Sequence, residues 1–280
     1  MKKYRFRLRE SDLPQSLFSY LKLKTSLEEH LIKDACEKGA CFYQAKGKGK
    51  TIRQRADLQR LSTDDHIIFN YDSKVLSLPW VHSAECLLET KNFGIWLKDV
   101  NVLTQGSEFS DHSSLLSYLE RTHGSEVFLI HRLDRETLGP VIFGYNKRAA
   151  HLLSDLFQKQ KIQKTYHAIV KGHLQIGEKK ICEEKLDGKE ARTEIECIDV
   201  SGQCSELIVK IESGRLHQIR RHLELMGCPI VGDPKYGRGN KSKIGLQLEC
   251  ISLEFIEPFQ NKPIKIDLVP RFTLSKIDSL

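Results

Sequence analysis

Beyond residue 80 the chain is written mainly in short apolar runs, and few of them lead into a helix. Residues 93–98, 127–130, 141–144, 163–172, 193–198 and 207–211 read as strands, several of them closed by glycine. Helical periodicity is clear in three places. Leu115, Leu116 and Leu119 share a face in residues 113–121, and Ala149, Leu152, Leu153, Leu156 and Phe157 do so in 147–160. Ile219, Leu223 and Met226 form a third stripe that stops at Gly227. Strands that outnumber helices and do not alternate with them exclude a doubly wound parallel sheet. They predict an α+β fold with a mixed, mainly antiparallel central sheet flanked by helices.

The first 75 residues differ in charge. Of the net +7 of the chain, +6 lies there, with 16 basic against 10 acidic residues. Residues 4–9 alternate like an edge strand. Leu13, Leu17, Tyr20 and Leu21 recur at helical spacing after a capping pair, Ser11-Asp12. A second helix is expected after Thr25-Ser26, through Leu27, Leu31, Ile32 and Ala35 to Lys38-Gly39. A strand at 40–43, the positive turn Lys46-Gly47-Lys48-Gly49-Lys50 and a strand within 64–69 complete a small α+β module, and 72–79 read as a linker. The predicted domains are therefore 1–75 and 80–280, and a basic module on a near-neutral body suggests a polyanionic partner, with Lys48 and Lys50 as its contacts.

Other chemistries find no support in the sequence. The eight cysteines are scattered without a C-x-x-C pair or a histidine at metal spacing, so no metal site is expected and the thiols read as reduced. The Gly47–Lys50 turn lacks phosphate-loop spacing. No run approaches the roughly 18 apolar residues of a membrane span, and the charged, aromatic start resembles neither a signal peptide nor an anchor. A cytoplasmic protein without a membrane is expected.

Two stretches carry candidate chemistry. His131-Arg132-Leu133-Asp134 follows an apolar run, so Asp134 is placed where a strand opens into a loop, in an electropositive setting suited to an anionic partner. In residues 214–223, Arg215, Arg220 and Arg221 with His217 and His222 crowd the start of a helix, which favours an anion there.

Taken together, His131-Arg132-Leu133-Asp134 with Thr137 and Gly139, then residues 164–172 (KTYHAIVKG), then residues 214–220 (GRLHQIR) with Gly227, Pro229-Ile230-Val231-Gly232-Asp233 and Tyr236, resemble the successive motifs of the RluA-type pseudouridine synthases. The resemblance spans roughly 85–270, and the order of elements within 13–70 resembles an S4-like RNA-binding domain. Some positions depart from the family pattern, among them Leu138, Lys98-Asp99-Val100-Asn101 and Leu246-Gln247-Leu248.

The resemblance implies that Asp134 is the catalytic aspartate, Tyr166 the aromatic residue against the target base and Arg220 the partner of the aspartate. Arg132 is implied to enter the RNA as the target nucleotide leaves its stack, with His131, Arg215, His217 and Gln218 as further substrate contacts. The phenol of Tyr166 is read as a stacking surface that assists loss of the C5 proton. The expected enzyme is a monomer without cofactor that isomerises uridine in structured RNA, ribosomal (large subunit) ahead of transfer RNA. A non-catalytic RNA-binding protein and an aspartate-based hydrolase stay open as alternatives.

Overall fold

The computed structural model describes residues 1–10, 16–240 and 244–277. The chain divides into two compact units, one of residues 1–83 with 105–122, the other of 84–104 with 123–280.

In the first unit, β1 (Lys2–Arg7), β2 (Cys41–Gln44), β3 (Ile52–Arg53) and β4 (His66–Tyr71) form an antiparallel sheet in the order β1-β4-β2-β3. Helices α1 (Leu17–Thr25) and α2 (Glu29–Glu37) bury Leu17, Leu21, Ile32 and Ala35 with Ile67 and Phe69 of β4 in one core. Ser11-Asp12 and Leu13 lie outside the described residues; α1 is capped by Ser16, whose hydroxyl accepts from the Ser19 amide. The second helix follows Thr25-Ser26 as expected but begins at Glu29, which leaves Leu27 outside it. Ser26 takes the left-handed cap of α1 at φ 58°, and Thr25 Oγ1 donates to the Leu21 carbonyl.

The expected linker holds a one-turn helix, α3 (Ser73–Leu76). It is capped by Asp72, whose carboxylate accepts from the Lys74 and Val75 amides. Helix α4 (Leu115–His123) forms as its leucine spacing predicts, with Leu115 and Leu119 buried. Residues 105–122 nevertheless pack with the N-terminal residues. Asp111 accepts ion pairs from Arg53 at 3.2 Å and Arg55 at 2.7 Å, and its amide donates to the Lys38 carbonyl.

The second unit holds two antiparallel sheets. The smaller, in the order β5-β6-β8-β7, comprises β5 (Glu85–Glu89), β6 (Phe93–Lys98), β7 (Phe128–Leu129) and β8 (Gly139–Gly144). The larger, in the order β10-β11-β12-β9-β13-β14, comprises β9 (Gln163–Lys171), β10 (Lys179–Cys182), β11 (Thr193–Ser201), β12 (Cys204–Ile211), β13 (Leu248–Ile256) and β14 (Pro263–Asp267). The expected α+β class and antiparallel pairing are what the structure has.

Helix α5 (Lys147–Gln158), capped by Asn146, lays Ala149 and Leu153 into a core with Phe93, Ile95, Ile142, Leu253 and Phe255. Each of the buried leucine, isoleucine and phenylalanine side chains contributes about 1.5–3 kcal/mol from burial alone. The sheets join at Gly139: the Cys250 amide donates to the Leu138 carbonyl at 2.8 Å, and Leu138 and Glu249 form a parallel bridge. A Cβ on Gly139 would lie 2.5 Å from that of Cys250, and its φ is 150°, so the junction requires glycine. The remaining helices are α6 (Gln218–Leu225) and α7 (Leu274–Ile277). No helix among the described residues is long and apolar enough to cross a membrane.

Candidate active site

Asp134 lies in the long loop between β7 and β8. The loop keeps its shape because alternate residues point inward: His131 and Leu133 are buried while Arg132 is exposed. Thr104 clamps the backbone of Leu133, donating from Oγ1 to its carbonyl at 2.8 Å and accepting from its amide at 3.2 Å. Lys98, fully buried at the end of β6, donates to the carbonyls of Asp99, Val102 and Arg135 at 2.9–3.0 Å. The last of these belongs to the residue after Asp134. The Thr137 amide closes the turn on the Asp134 carbonyl.

Arg220, on the first turn of α6, faces this loop. It donates from Nε to Asp233 Oδ2 at 2.7 Å and from Nη2 to Asp233 Oδ1 at 2.8 Å, which leaves Nη1 to reach Asp134 Oδ2 at 3.3 Å. Arg220 and Asp233 are 2% and 1% exposed, so this is a buried bidentate pair that aims its third nitrogen at a half-exposed carboxylate. Burial pushes the Asp233 carboxyl up, but hydrogen bonds from Arg220 and from the Lys235 and Tyr236 amides outweigh it and hold it below the usual carboxylate range. The Tyr236 ring lies 5.3 Å from the Arg220 guanidinium carbon, and its hydroxyl is 3.1 Å from His217 Nδ1. His217 Nε2 in turn stands 3.9 Å from Asp134 Oδ2.

Tyr166, on β9, is paired on one side with Val209 of β12 and on the other with Cys250 of β13. Its side chain lines the same cleft as Arg132, Asp134, Thr137 and Arg220, a space of about 200 Å³. Burial, with the Cys250 thiol and the Asp134 carboxylate beside it, pushes the phenol well above its ordinary value. The phenol is thus held protonated, a hydrogen-bond donor joined to a flat stacking face.

The structure brings Asp134, Tyr166, Arg220, Arg132, Arg215, His217 and Gln218 to this one cleft. Two residues expected at the substrate are instead supports. His131 is buried against the Phe157 ring at 4.6 Å, and its Nε2 accepts from the Ile142 amide; burial and the neighbouring Lys164 push its pKa well down, so it is a neutral core histidine. Gln218, 3% exposed, has its whole amide engaged: Oε1 accepts from Ser213 Oγ and the Arg215 amide, and Nε2 donates to the Arg192 carbonyl and Thr193 Oγ1.

The cations of residues 214–223 also have protein partners, which answers their crowding without an anion. Arg215 donates to the Glu190 carbonyl, Arg220 to Asp233 and Asp134, and Arg221 to both oxygens of Asp187. Lys48 and Lys50 are exposed in the first unit, on the turn that begins with the 3-10 segment Ala45–Gly47.

Sequence reasoning gives no role to Lys98, Thr104, Lys164 or Asp233. Asp233 stands inside a recognised motif, but nothing in its spacing marks it as the main partner of an arginine thirteen positions earlier.

A profile of the RNA pseudouridylate synthase family matches residues 92–225. The tRNA pseudouridine synthase C of Haemophilus influenzae is 30% identical over 204 residues, 60% of this chain and 85% of that protein. The chain belongs to the RNA pseudouridine synthase family. The synthase is also 34% identical over 142 residues to the ribosomal large subunit pseudouridine synthase D of Borreliella burgdorferi, 45% of this chain and 44% of that one. Among solved structures, human RNA pseudouridylate synthase domain containing 1 matches with a TM-score of 0.58 at 21% identity, over 69% of this chain and 86% of the other, a likeness of fold. The enzyme is an isomerase of the RluA type that makes pseudouridine in RNA.

Proposed function

We propose that Asp134 is the catalytic carboxylate of this synthase, Arg220 the cation that orients it and Tyr166 the surface that holds the detached uracil. The observation that carries this reading is the single nitrogen that Arg220 leaves for Asp134 after Asp233 has taken the other two. The isomerisation breaks the bond between ribose C1′ and uracil N1, turns the ring and joins C5 to C1′, while a proton leaves C5 and N1 regains one. Both routes open to a carboxylate, attack on the sugar and removal of a sugar proton, need it ionised and fixed in direction. An arginine that is itself held rigidly supplies both conditions.

A uridine inside a helix reaches this cleft only after flipping, which costs a few kcal/mol. The exposed Arg132, beside Asp134 at the cleft, is the residue assigned to fill the vacated stack. Arg215 and His217 form the opposite rim as RNA contacts.

The substrate we favour is large-subunit ribosomal RNA, and we read the first unit as an S4-like module that docks it in the cytoplasm. The support is its basic charge, its helix pair followed by β2, and the exposed Lys48 and Lys50. Transfer RNA is the second reading, favoured by the longer alignment to a tRNA synthase.

One comparison tests reaction, residue and substrate together: a pseudouridine map of total RNA from cells with the gene, without it, and with Asp134→Asn only. Loss of the same ribosomal site or sites in both altered strains is expected, and loss of transfer RNA sites selects the second reading. An Asp134→Asn strain with a normal map would refute the assignment.

A further inference from the structure

Among the described residues only three cations are buried: Lys98, Arg220 and Lys164, at 0%, 2% and 8% exposure. Lys98 is satisfied by three carbonyls and Arg220 by two carboxylates. Lys164 differs. No carboxylate pairs with it and no hydrogen bond reaches its ammonium among the described residues; its contact is the face of Phe157, 4.7 Å from Nζ to the ring centre. Its stem is buried while its Nζ opens onto the cleft, a costly place for a charge without a protein partner. A fold retains one where a ligand supplies the missing acceptor.

The position of Lys164 says which ligand. It precedes Tyr166 by two residues on β9, so both side chains leave the same face of the strand, and both line the cleft that holds Asp134. We infer that Lys164 touches the substrate base: its ammonium takes a carbonyl oxygen of the flipped uracil and balances the charge on that ring after its bond to the sugar breaks. This rests on the reading of Asp134 and Tyr166 given above.

When C1′–N1 breaks, its electron pair stays on uracil and spreads over N1, O2 and O4. Lys164 forms no bond and transfers no proton; it faces the charge while the ring turns and C5 bonds to C1′. Such a fixed cation acts more strongly here than in water, because the protein around it does not have to reorganise. Burial pulls the pKa of Lys164 down in the empty cleft, as expected for a cation that awaits its counter-charge.

The test uses the full-length protein and in vitro transcribed ribosomal and transfer RNA. The transcript that the wild type modifies is then remade as a fragment carrying either uridine or an abasic site at the target. Lys164→Met is expected to melt no lower than wild type and to bind the abasic fragment equally well. At saturating enzyme its single-turnover rate should fall about 100-fold, the scale of removing one charge-stabilising donor. Lys164→Gln should be similarly slow, and Lys164→Arg should keep its rate within about tenfold of wild type.

Higher or equal stability together with a slower reaction is a combination that a structural lysine does not give. A wild-type rate in Lys164→Met overturns the inference. So does weaker binding of the abasic fragment with a shallower salt dependence, which assigns Lys164 to a phosphate, and so does a lower melting point with activity in proportion to the folded fraction. Asp134→Asn runs beside these variants. If it turns over, the site reading itself fails; if it is inactive while Lys164→Met is normal, only the role of Lys164 falls.

Discussion

Asp233 holds Arg220 by two hydrogen bonds, from Nε at 2.7 Å and from Nη2 at 2.8 Å, and so fixes where the third nitrogen meets Asp134. Asp233→Asn keeps the shape and removes the charge that answers a buried guanidinium. Loss of about 3–5 kcal/mol of stability is expected, with turnover falling alongside it. Because the Asp233 carboxyl is held low in the folded state, its contribution is present above about pH 4, where the unfolded chain is already ionised. It disappears as pH falls through the lower, folded value. Urea denaturation of both proteins from pH 7 down to pH 3 checks this: the gap between them should narrow at the acid end.

Gln218→Ala should loosen the cleft rim without touching substrate. The four partners of the amide lie on Ser213, Arg215, Arg192 and Thr193, and truncation leaves buried polar groups unanswered at about 1–3 kcal/mol. Thermal denaturation should register that loss. Hydrogen exchange should rise at the Arg215 amide, which donates to Gln218 Oε1, and unchanged protection there would argue against the role.

Lys98 predicts an alkaline signature. Burial lowers its pKa from 10.5 to about 7, against the opposing pull of Asp134, Glu136 and Asp99. Between pH 7 and about 10 the unfolded chain therefore holds a proton that the folded chain has released, and stability contributed by this group rises with pH. The difference in unfolding free energy between wild type and Lys98→Met should grow across that window, measured by denaturant titration at each pH. A constant difference would show that the ammonium keeps its proton.

Lys48→Glu with Lys50→Glu tests the first unit. If these exposed lysines meet phosphates, the double variant binds transcribed ribosomal RNA more weakly. The slope of log affinity against log salt then flattens by roughly 0.7–0.9 for each phosphate that is no longer neutralised. Filter binding between about 50 and 200 mM salt reads both effects.

The strands legible in the sequence are those with apolar runs, β6, β8, β9, β11 and β12. Of those that escape it, β3, β5, β10 and β14 are at sheet edges with largely exposed burial patterns, so no run of apolar residues announces them. β13 escapes although it lies inside its sheet, because Glu249, Ser252 and Glu254 interrupt its apolar residues. Residues 105–122 fall outside the unit expected from their position for a different reason: their helical stripe is legible, but the ion pairs that bind Asp111 to Arg53 and Arg55 span more than fifty residues.

The same distinction holds in the cleft. Asp134, Tyr166 and Arg220 are legible because three motifs appear in order. His131 and Gln218, inside those motifs, are supports, since a motif records which residues recur and not which way they face. Lys98 and Lys164 are invisible as buried groups because a lysine in a sequence reads as a surface residue.

The strand that carries Tyr166 and Lys164 lies in the middle of its sheet, flanked by β12, some forty residues later, and by β13, some eighty residues later. A chain emerging from the ribosome therefore exposes β9 long before either neighbour exists to pair with it, and the cleft assembles only near the end of synthesis. Until residue 256 is made, Asp134 has no finished partner surface opposite it. A growing chain holds its basic first unit well before it holds a finished cleft, so on the reading proposed above its earliest contacts with RNA are made without chemistry.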